Sequence, residues 1–247
     1  MNMNNIQKLA QAIKSHERIV FFGGAGVSTE SGVPDFRSAD GIFNNNESAE
    51  TLLSYSYFKL NPTRFMEFYR TKLFFPDVKP NFAHNYLAKL EKAEKLHAVI
   101  TQNVDGLHQK AGSGNVIELH GTAHKCFCDL CKEAQPAVVV NEFVNPAELP
   151  FCKCGGVIRP AIIMYEEPLD PDVTGRAIRA IAEADMLIIA GTSLRVYPAA
   201  SYIGYFTGNC LAVINREAIA AKADIVIEGS VGETFKKINI ILRERGF

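Results

Sequence analysis

Residues Arg18-Ile-Val-Phe-Phe22, followed at once by Gly23-Gly-Ala-Gly-Val-Ser28, decide the fold. A short apolar run without polar alternation is what a strand buried on both faces requires, and parallel strands are buried that way. Glycines directly behind such a strand permit a tight turn and a close backbone approach to a neighbouring group. Working outward, similar apolar runs recur at 98–101, 186–190, 211–215 and 224–228, with a shorter one at 116–119. Helical periodicity falls between or beside them at 5–14, 83–93, 174–184 and 232–245. Strands alternating with helices imply a parallel sheet with right-handed crossovers. The expectation is an α/β chain, with a doubly wound, Rossmann-like large domain.

Two stretches break the alternation. Residues 38–80 are rich in aromatic and polar side chains, with Asn44-Asn45-Asn46 reading as a loop, and predict a small helical insertion. Residues 124–159 hold most of the cysteines and predict a compact metal-stapled module. The large domain is then discontinuous, made of 1–37, 81–123 and 160–247, and the small domain combines the metal module with the helical insertion.

Composition narrows the function. The formal net charge of −1 comes with no basic run, so the chain carries no nucleic-acid footprint. No apolar stretch is long enough to span a bilayer, and the amino-terminal residues do not read as a signal peptide. Cysteine clustering without an export signal points to a metal and a reducing, cytoplasmic compartment. Cys210 stands apart and reads as a small buried hydrophobe.

Cys128-x2-Cys131 and Cys152-x-Cys154, 20 residues apart, nearly match a four-thiolate zinc site. Four thiolates leave no open position for water, so the site is expected to be structural. Cys126 is a fifth candidate, His124 a remote one, and a DNA-binding zinc ribbon is disfavoured by the few basic residues nearby.

The glycine loop read alone leaves two options open, a dinucleotide or phosphate cradle and a plain turn. The match to Gly-x-Gly-x-x-Gly is incomplete because Thr29 holds the third glycine position, and no acidic ribose grip is evident. Ser31-Gly-Val-Pro-Asp-Phe-Arg37 adds an arginine suited to a pyrophosphate and an aromatic suited to cover a ring. Gln102-Asn-Val-Asp105 follows a buried strand, where α/β proteins place ligands, yet Asn103 and Asp105 are also good helix caps. His120 could be a general base or a structural histidine, while His84 and His108, in helical stretches, read as structural.

Taken together, these segments carry a resemblance. Gly24-Ala-Gly-Val-Ser-Thr-Glu-Ser-Gly-Val-Pro-Asp-Phe-Arg37 resembles the first signature of the sirtuin family. Thr101-Gln-Asn-Val-Asp-Gly-Leu-His108 resembles the second and Glu118-Leu-His-Gly121 the third. Gly191-Thr-Ser-Leu-Arg-Val-Tyr-Pro-Ala-Ala200 and Val213-Ile-Asn215 resemble later cofactor-binding segments. The resemblance covers nearly the whole chain, and the Thr29 and Asp35 variants look like the bacterial deacetylase subgroup.

The resemblance implies an NAD-dependent protein-lysine deacetylase. The acyl group passes from acyl-lysine to ADP-ribose with release of nicotinamide, His120 serving as the base and Asn103 acting beside it. The implied cofactor contacts are Gly24, Ala25, Gly26, Thr29, Phe36, Arg37, Gln102, Asn103, Val104, Asp105, Gly191, Thr192, Ser193, Asn215 and Val231. Phe36 would shield the reactive face. The implied zinc ligands are Cys128, Cys131, Cys152 and Cys154.

An acyl-lysine peptide would pair near Ile163, Met164 and Tyr165, with no oligomer required. Tyr69 and Lys72 stand where family members that prefer acidic acyl chains carry a Tyr-x-x-Arg pair, and lysine lacks the planar fork for a carboxylate. Acetyl-lysine is therefore expected over succinyl- or malonyl-lysine. A mono-ADP-ribosyltransferase using the same pocket is the other alternative. Two departures stand out: Gly23 where the family often has threonine, and Glu166 where it usually has glycine.

Overall fold

The computed structural model describes residues 2–35, 49–217 and 222–244. Among these, the strands in chain order are β1 (Ile19–Gly23), β2 (Leu96–Thr101), β3 (Val116–Glu118), β4 (Gly121–Cys128), β5 (Ala134–Gln135), β6 (Ile158–Ile162), β7 (Met186–Ala190), β8 (Cys210–Asn215) and β9 (Ile225–Glu228). The helices are α1 (Met3–Ser15), α2 (Ala49–Leu52), α3 (Tyr55–Leu60), α4 (Pro62–Phe68), α5 (Phe82–Lys92), α6 (Leu107–Lys110), α7 (Val138–Asn141), α8 (Pro171–Glu183) and α9 (Val231–Glu244).

Six strands form one parallel sheet in the order β3-β2-β1-β7-β8-β9. The chain winds outward from β1 to one side, then returns to β7 and winds outward to the other. The strand order therefore reverses between β1 and β7, which in open α/β sheets is where a ligand crevice forms.

The burial of β1 follows the pleat. Ile19 and Phe21 join the cluster under α1, α5 and α9, which supply Leu9, Leu87 and Phe235. Val20 and Phe22 join the opposite cluster under α8, with Ile181 and Ile189. Each phenylalanine contributes about 2–3 kcal/mol by leaving water, so β1 anchors both layers. Local chemistry sets the helix starts. The Asp170 carboxylate accepts from the Asp172 and Val173 amides ahead of α8, and Pro171 occupies its first turn. Asn81 and His84 form a reciprocal capping box at α5.

A second, antiparallel sheet of order β5-β4-β6 lies beside the first. Its apolar cluster draws Phe58, Phe65, Met66 and Tyr69 from the segment containing α3 and α4, and Cys126, Cys128, Ile158 and Ile162 from the strands. The helical insertion and the cysteine-rich module thus share one core.

Two histidines lie deep beside β1. The His84 and His108 rings meet edge to face with centroids 4.7 Å apart. The Asn81 amide donates to His84 Nδ1, so the ring proton sits on Nε2. Neither ring nitrogen of His108 has a hydrogen-bond partner among the described residues. Burial lowers His84 to about 4, partly opposed by the Asp105 charge. Burial, aided by His84, lowers His108 to about 3.

Both rings fold neutral, while unfolded histidine takes its proton near pH 6.5. Between those values the unfolded chain binds more protons, so stability is full above about 6.5 and is lost as pH falls toward the folded values. Each histidine should cost about 1.4 kcal/mol per pH unit in that window. Urea unfolding at pH 7 and pH 5.5 should show a loss that His108→Leu roughly halves. A variant as acid-sensitive as the parent would contradict this account.

Candidate active site

The carboxyl ends of the strands that flank the reversal open into one cavity of about 360 Å³. The turn after β1 brings Gly24, Ala25, Gly26 and Thr29 to its wall, and the segment after β2 brings Gln102, Asn103, Val104 and Asp105. His120 enters from the turn between β3 and β4. Gly191, Thr192 and Ser193 follow β7, Asn215 ends β8, and Val231 begins α9. The opposite wall is made by Ile163, Met164 and Tyr165 after β6, with Lys72 from the helical insertion.

The glycines allow the turns after β1 and β7 to touch. A Cβ on Gly26 would lie 2.8 Å from Gly191 Cα, and one on Gly24 would lie 2.9 Å from Thr192 Cβ. Gly191 adopts φ +59, a left-handed conformation that glycine adopts without strain. The Gly24 amide donates to the Ala190 carbonyl and the Gly26 amide to the Gly191 carbonyl. Those two amides therefore hold the turns together, and the direct demand for glycine is backbone-to-backbone packing.

A polar chain runs along the floor. The Asn103 side-chain amide donates to the Gly24 carbonyl and to Ser28 Oγ, each at 3.1 Å. Ser28 Oγ donates to Asp105 Oδ2 at 2.7 Å, and Asp105 Oδ1 accepts the Leu107 amide ahead of α6. Asp105 thus holds the first amide of α6 and lines the cavity at once. His120 Nδ1 lies 3.0 Å from the Gln102 carbonyl. A carbonyl can only accept, so Nδ1 carries the proton and the lone pair is left on Nε2. Burial lowers the His120 pKa, partly opposed by that hydrogen bond, and the neutral, proton-accepting form prevails at neutral pH.

The comparisons with known proteins match this geometry. The model of the Sir2 family matches residues 24–198. The chain belongs to the Sir2 family. An NAD-dependent protein deacetylase of Clostridium perfringens is 50% identical over 243 residues, covering 95% of this chain and 98% of its own. A crystal structure of a Sir2 homologue with NAD has a TM-score of 0.85 at 37% identity, covering 96% of this chain and 94% of that one. A Sir2 structure with a deacetylated p53 peptide and 3'-O-acetyl ADP-ribose has a TM-score of 0.88 at 32% identity, covering 96% and 98%.

For a Sir2-family chain, several placements differ from the sequence expectation. Tyr69 does not line the cavity: it is fully buried, and its hydroxyl donates to Asn141 Oδ1 at 3.0 Å and to the Ala123 carbonyl. Its aromatic ring packs in the small-domain core, which turns it away from the cavity. Phe36 and Arg37 lie outside the described residues, as does the asparagine loop at 44–46. His124 is not near the cysteines as a ligand; its Nε2 meets the Asp105 carbonyl at 2.8 Å and fixes the turn at Gly106.

Two contributors went unread in the sequence. Ser28, within the first signature, joins Asn103 to Asp105. Glu30 accepts the Gly232 amide at 2.6 Å and the Ser230 hydroxyl, capping α9 and fixing Val231 at the cavity edge. No spacing signal links Glu30 to a helix 200 residues away.

The cysteine module fits a tetrahedral ion. Cys128, Cys131, Cys152 and Cys154 place their sulfurs within 4.8 Å of one another, with Cys128–Cys154 at 3.4 Å and Cys131–Cys152 at 3.8 Å. Zinc–sulfur bonds of about 2.3 Å give tetrahedron edges of about 3.8 Å. The Cys131 amide directed at the Cys128 sulfur lowers that thiol, while in the same hydrogen-bonded cluster the Cys131 and Cys152 thiols are raised. A Cβ on Gly156 would sit 2.6 Å from that sulfur, so the second turn closes only with glycine there. Cys126 is outside the set, its thiol donating to the Gln135 and Pro136 carbonyls.

Metal analysis of the purified protein should find about one zinc per chain, lost in Cys152→Ser with a lowered unfolding midpoint, while the shared apolar core of Phe58, Phe65 and Met66 keeps the small domain folded. The pH dependence of turnover should follow His120: because its pKa is lowered, the acid limb of kcat/KM should have its midpoint below about 6.5. A midpoint at or above that value would remove His120 from the role of base.

Proposed function

We infer that the chain is an NAD-dependent protein-lysine deacetylase, which converts acetyl-lysine, NAD and water into lysine, nicotinamide and O-acetyl-ADP-ribose. One observation carries this reading: a neutral His120 stands on the wall of the same cavity that the glycine turn and the Ile163–Met164–Tyr165 segment line. NAD, when bound, supplies an electrophilic ribose carbon and nicotinamide as the leaving group. The protein supplies orientation and a place for the proton.

In this reading Gly24, Ala25, Gly26 and Thr29 hold one part of the dinucleotide, together with Gly191, Thr192, Ser193, Asn215 and Val231. Gln102, Asn103, Val104 and Asp105 hold its nicotinamide end, where the Ser28 network stiffens Asn103 and Asp105. Phe36 and Arg37 complete the cofactor set. His120 accepts a ribose hydroxyl proton on Nε2, and its Nδ1–H bond to the Gln102 carbonyl helps carry the charge that develops. The four cysteines hold zinc away from the reaction, as a structural staple.

The substrate peptide adds as an extended segment beside Ile163, Met164 and Tyr165. The Tyr165 amide and carbonyl are already paired with Leu53 and Tyr55, and the Met164 amide and carbonyl with Glu167, so the peptide takes the backbone groups of the segment that these pairings leave over. Acetyl is favoured over succinyl because Tyr69 is committed to Asn141, which leaves Lys72 without the tyrosine partner an acidic chain would need. Among the described residues no helix is long and apolar enough to cross a membrane. We place the enzyme in the cytoplasm, where reduced cysteines suit zinc.

Mass spectrometry of an acetyl-lysine peptide and its succinyl twin tests the reading. NAD-dependent loss of acetyl with O-acetyl-ADP-ribose formed is expected, with His120→Ala slower by about 10²–10⁴-fold. Faster loss of succinyl would overturn the acyl preference. ADP-ribose attached to protein without deacylation would move the enzyme to the transferase class.

A further inference from the structure

The cavity does not use the most deeply buried cation of the small domain. Arg159, on β6, is 3% exposed, and its guanidinium lies 4.5 Å over the Phe127 ring across the β4–β6 pair. Its Nε donates to Asp129 Oδ1 at 3.1 Å, its Nη1 to the Ile162 carbonyl at 3.1 Å, and its Nη2 to Glu167 Oε1. Asp129 lies between Cys128 and Cys131. It is nearly as buried, and its other oxygen accepts from the Tyr55 hydroxyl and from Lys59. Glu167 Oε2 accepts the Met164 amide at 2.9 Å. One guanidinium therefore touches the cysteine turn at one end and the turn at 162–167 at the other.

That second turn is conformationally demanding. Glu166 within it sits at φ +75, which side chains other than glycine adopt only when the surroundings fix them. The Ile163 amide donates to the His120 carbonyl at 2.9 Å, so the same turn abuts the proposed base. A buried ion cluster of this kind is costly in desolvation, and its best-attested return is a single defined geometry.

We propose that Arg159 is a positioning residue that couples the four-cysteine module to the substrate-binding segment, so that metal occupancy sets affinity for the acyl-lysine peptide rather than for NAD. The proposal rests on the deacetylase reading given above. Arginine is required because three acceptors in three directions need a planar fork, which lysine cannot supply. The path runs from the cysteine turn through Asp129 and Arg159 to Glu167, and from Glu167 to the Met164 amide on the cavity wall.

The test uses the full chain, with binding of a fluorescent acetyl-lysine peptide and of NAD measured separately and zinc content recorded. In Arg159→Lys and in Glu167→Gln, peptide Kd and KM should rise roughly tenfold or more, with zinc content and NAD affinity retained. Removing zinc from the parent protein should weaken peptide binding by a similar factor, and should do so much less in Glu167→Gln, where the path is already cut.

Unchanged peptide binding in folded, zinc-loaded variants would overturn the coupling, as would an equal loss of NAD affinity, which would mark a merely structural residue. Should Arg159→Lys fail to fold, Glu167→Gln decides through its response to zinc removal, because Glu167 itself lines the cavity and a change in Kd alone would not separate direct contact from coupling. Absence of NAD-dependent deacetylation by the parent protein would instead sink the functional reading beneath it.

Discussion

The contact on which the rest depends is the backbone approach of the turns after β1 and β7. Those two strands are neighbours in the sheet while the chain leaves them in opposite directions, so their ends diverge and leave a crevice. Gly24, Gly26 and Gly191 let the two turns close at van der Waals distance, joined by the Gly26 amide and the Gly191 carbonyl. The polar floor of the cavity is hung from that junction. Asn103 reaches back to the Gly24 carbonyl, Gln102 bonds to Thr192, and His120 bonds to the Gln102 carbonyl. A side chain added at Gly26 would disturb three groups of the floor at once, because each is oriented by the one before it.

The smaller sheet is held differently. It joins two segments distant in the sequence, a short helical insertion and a cysteine-rich module. Their shared core includes Phe58, Phe65, Met66 and Tyr69, and is completed by two of the four clustered cysteines, Cys128 and Cys152. The ion cluster of Arg159, Asp129, Glu167 and Lys59 is stacked against Phe127 and Tyr55. Burying such charges costs several kcal/mol per ion unless they are paired and bonded, and here nearly every donor has a directed acceptor. The large domain thus rests on apolar burial on both faces of a sheet, and the small one on a single apolar core fastened by the thiolate cluster and directed polar contacts.

How far the sequence could be read follows from this difference. The parallel strands were legible because burial on both faces leaves an unbroken apolar run, as in Ile19-Val-Phe-Phe22 and Met186-Leu-Ile-Ile-Ala190, and the observed strands begin within about two residues of those runs. The cavity residues at strand ends were legible because they follow directly on those runs. The pairing of β4 with β6 was not, since it joins segments some 30 residues apart with mixed polarity and no periodic signal. Tyr69 was misplaced for a related reason. A tyrosine on an amphipathic helix looks the same whether its ring faces a ligand or a core, and only the neighbouring Asn141 decides. Glu30 and Asp129 act through contacts distant in sequence, which single residues do not announce.

The two departures from the family pattern make sense only with their partners. Gly23 ends β1 where a Cβ would lie 2.6 Å from the Phe21 ring, so the glycine accommodates a large aromatic that fills the layer against Phe235. Glu166 carries the opposite trade. Holding a non-glycine residue in the left-handed region costs about 1 kcal/mol. Its carboxylate offsets this by accepting from the Ser56 amide at 2.8 Å and the Ser56 hydroxyl at 2.9 Å. Each such bond is worth about 1 kcal/mol even with solvent nearby. Glycine at this position would relieve the strain and give up the tie to α3. The glutamate therefore fastens the helical insertion to the turn at 162–167, and its charge is already engaged by Ser56.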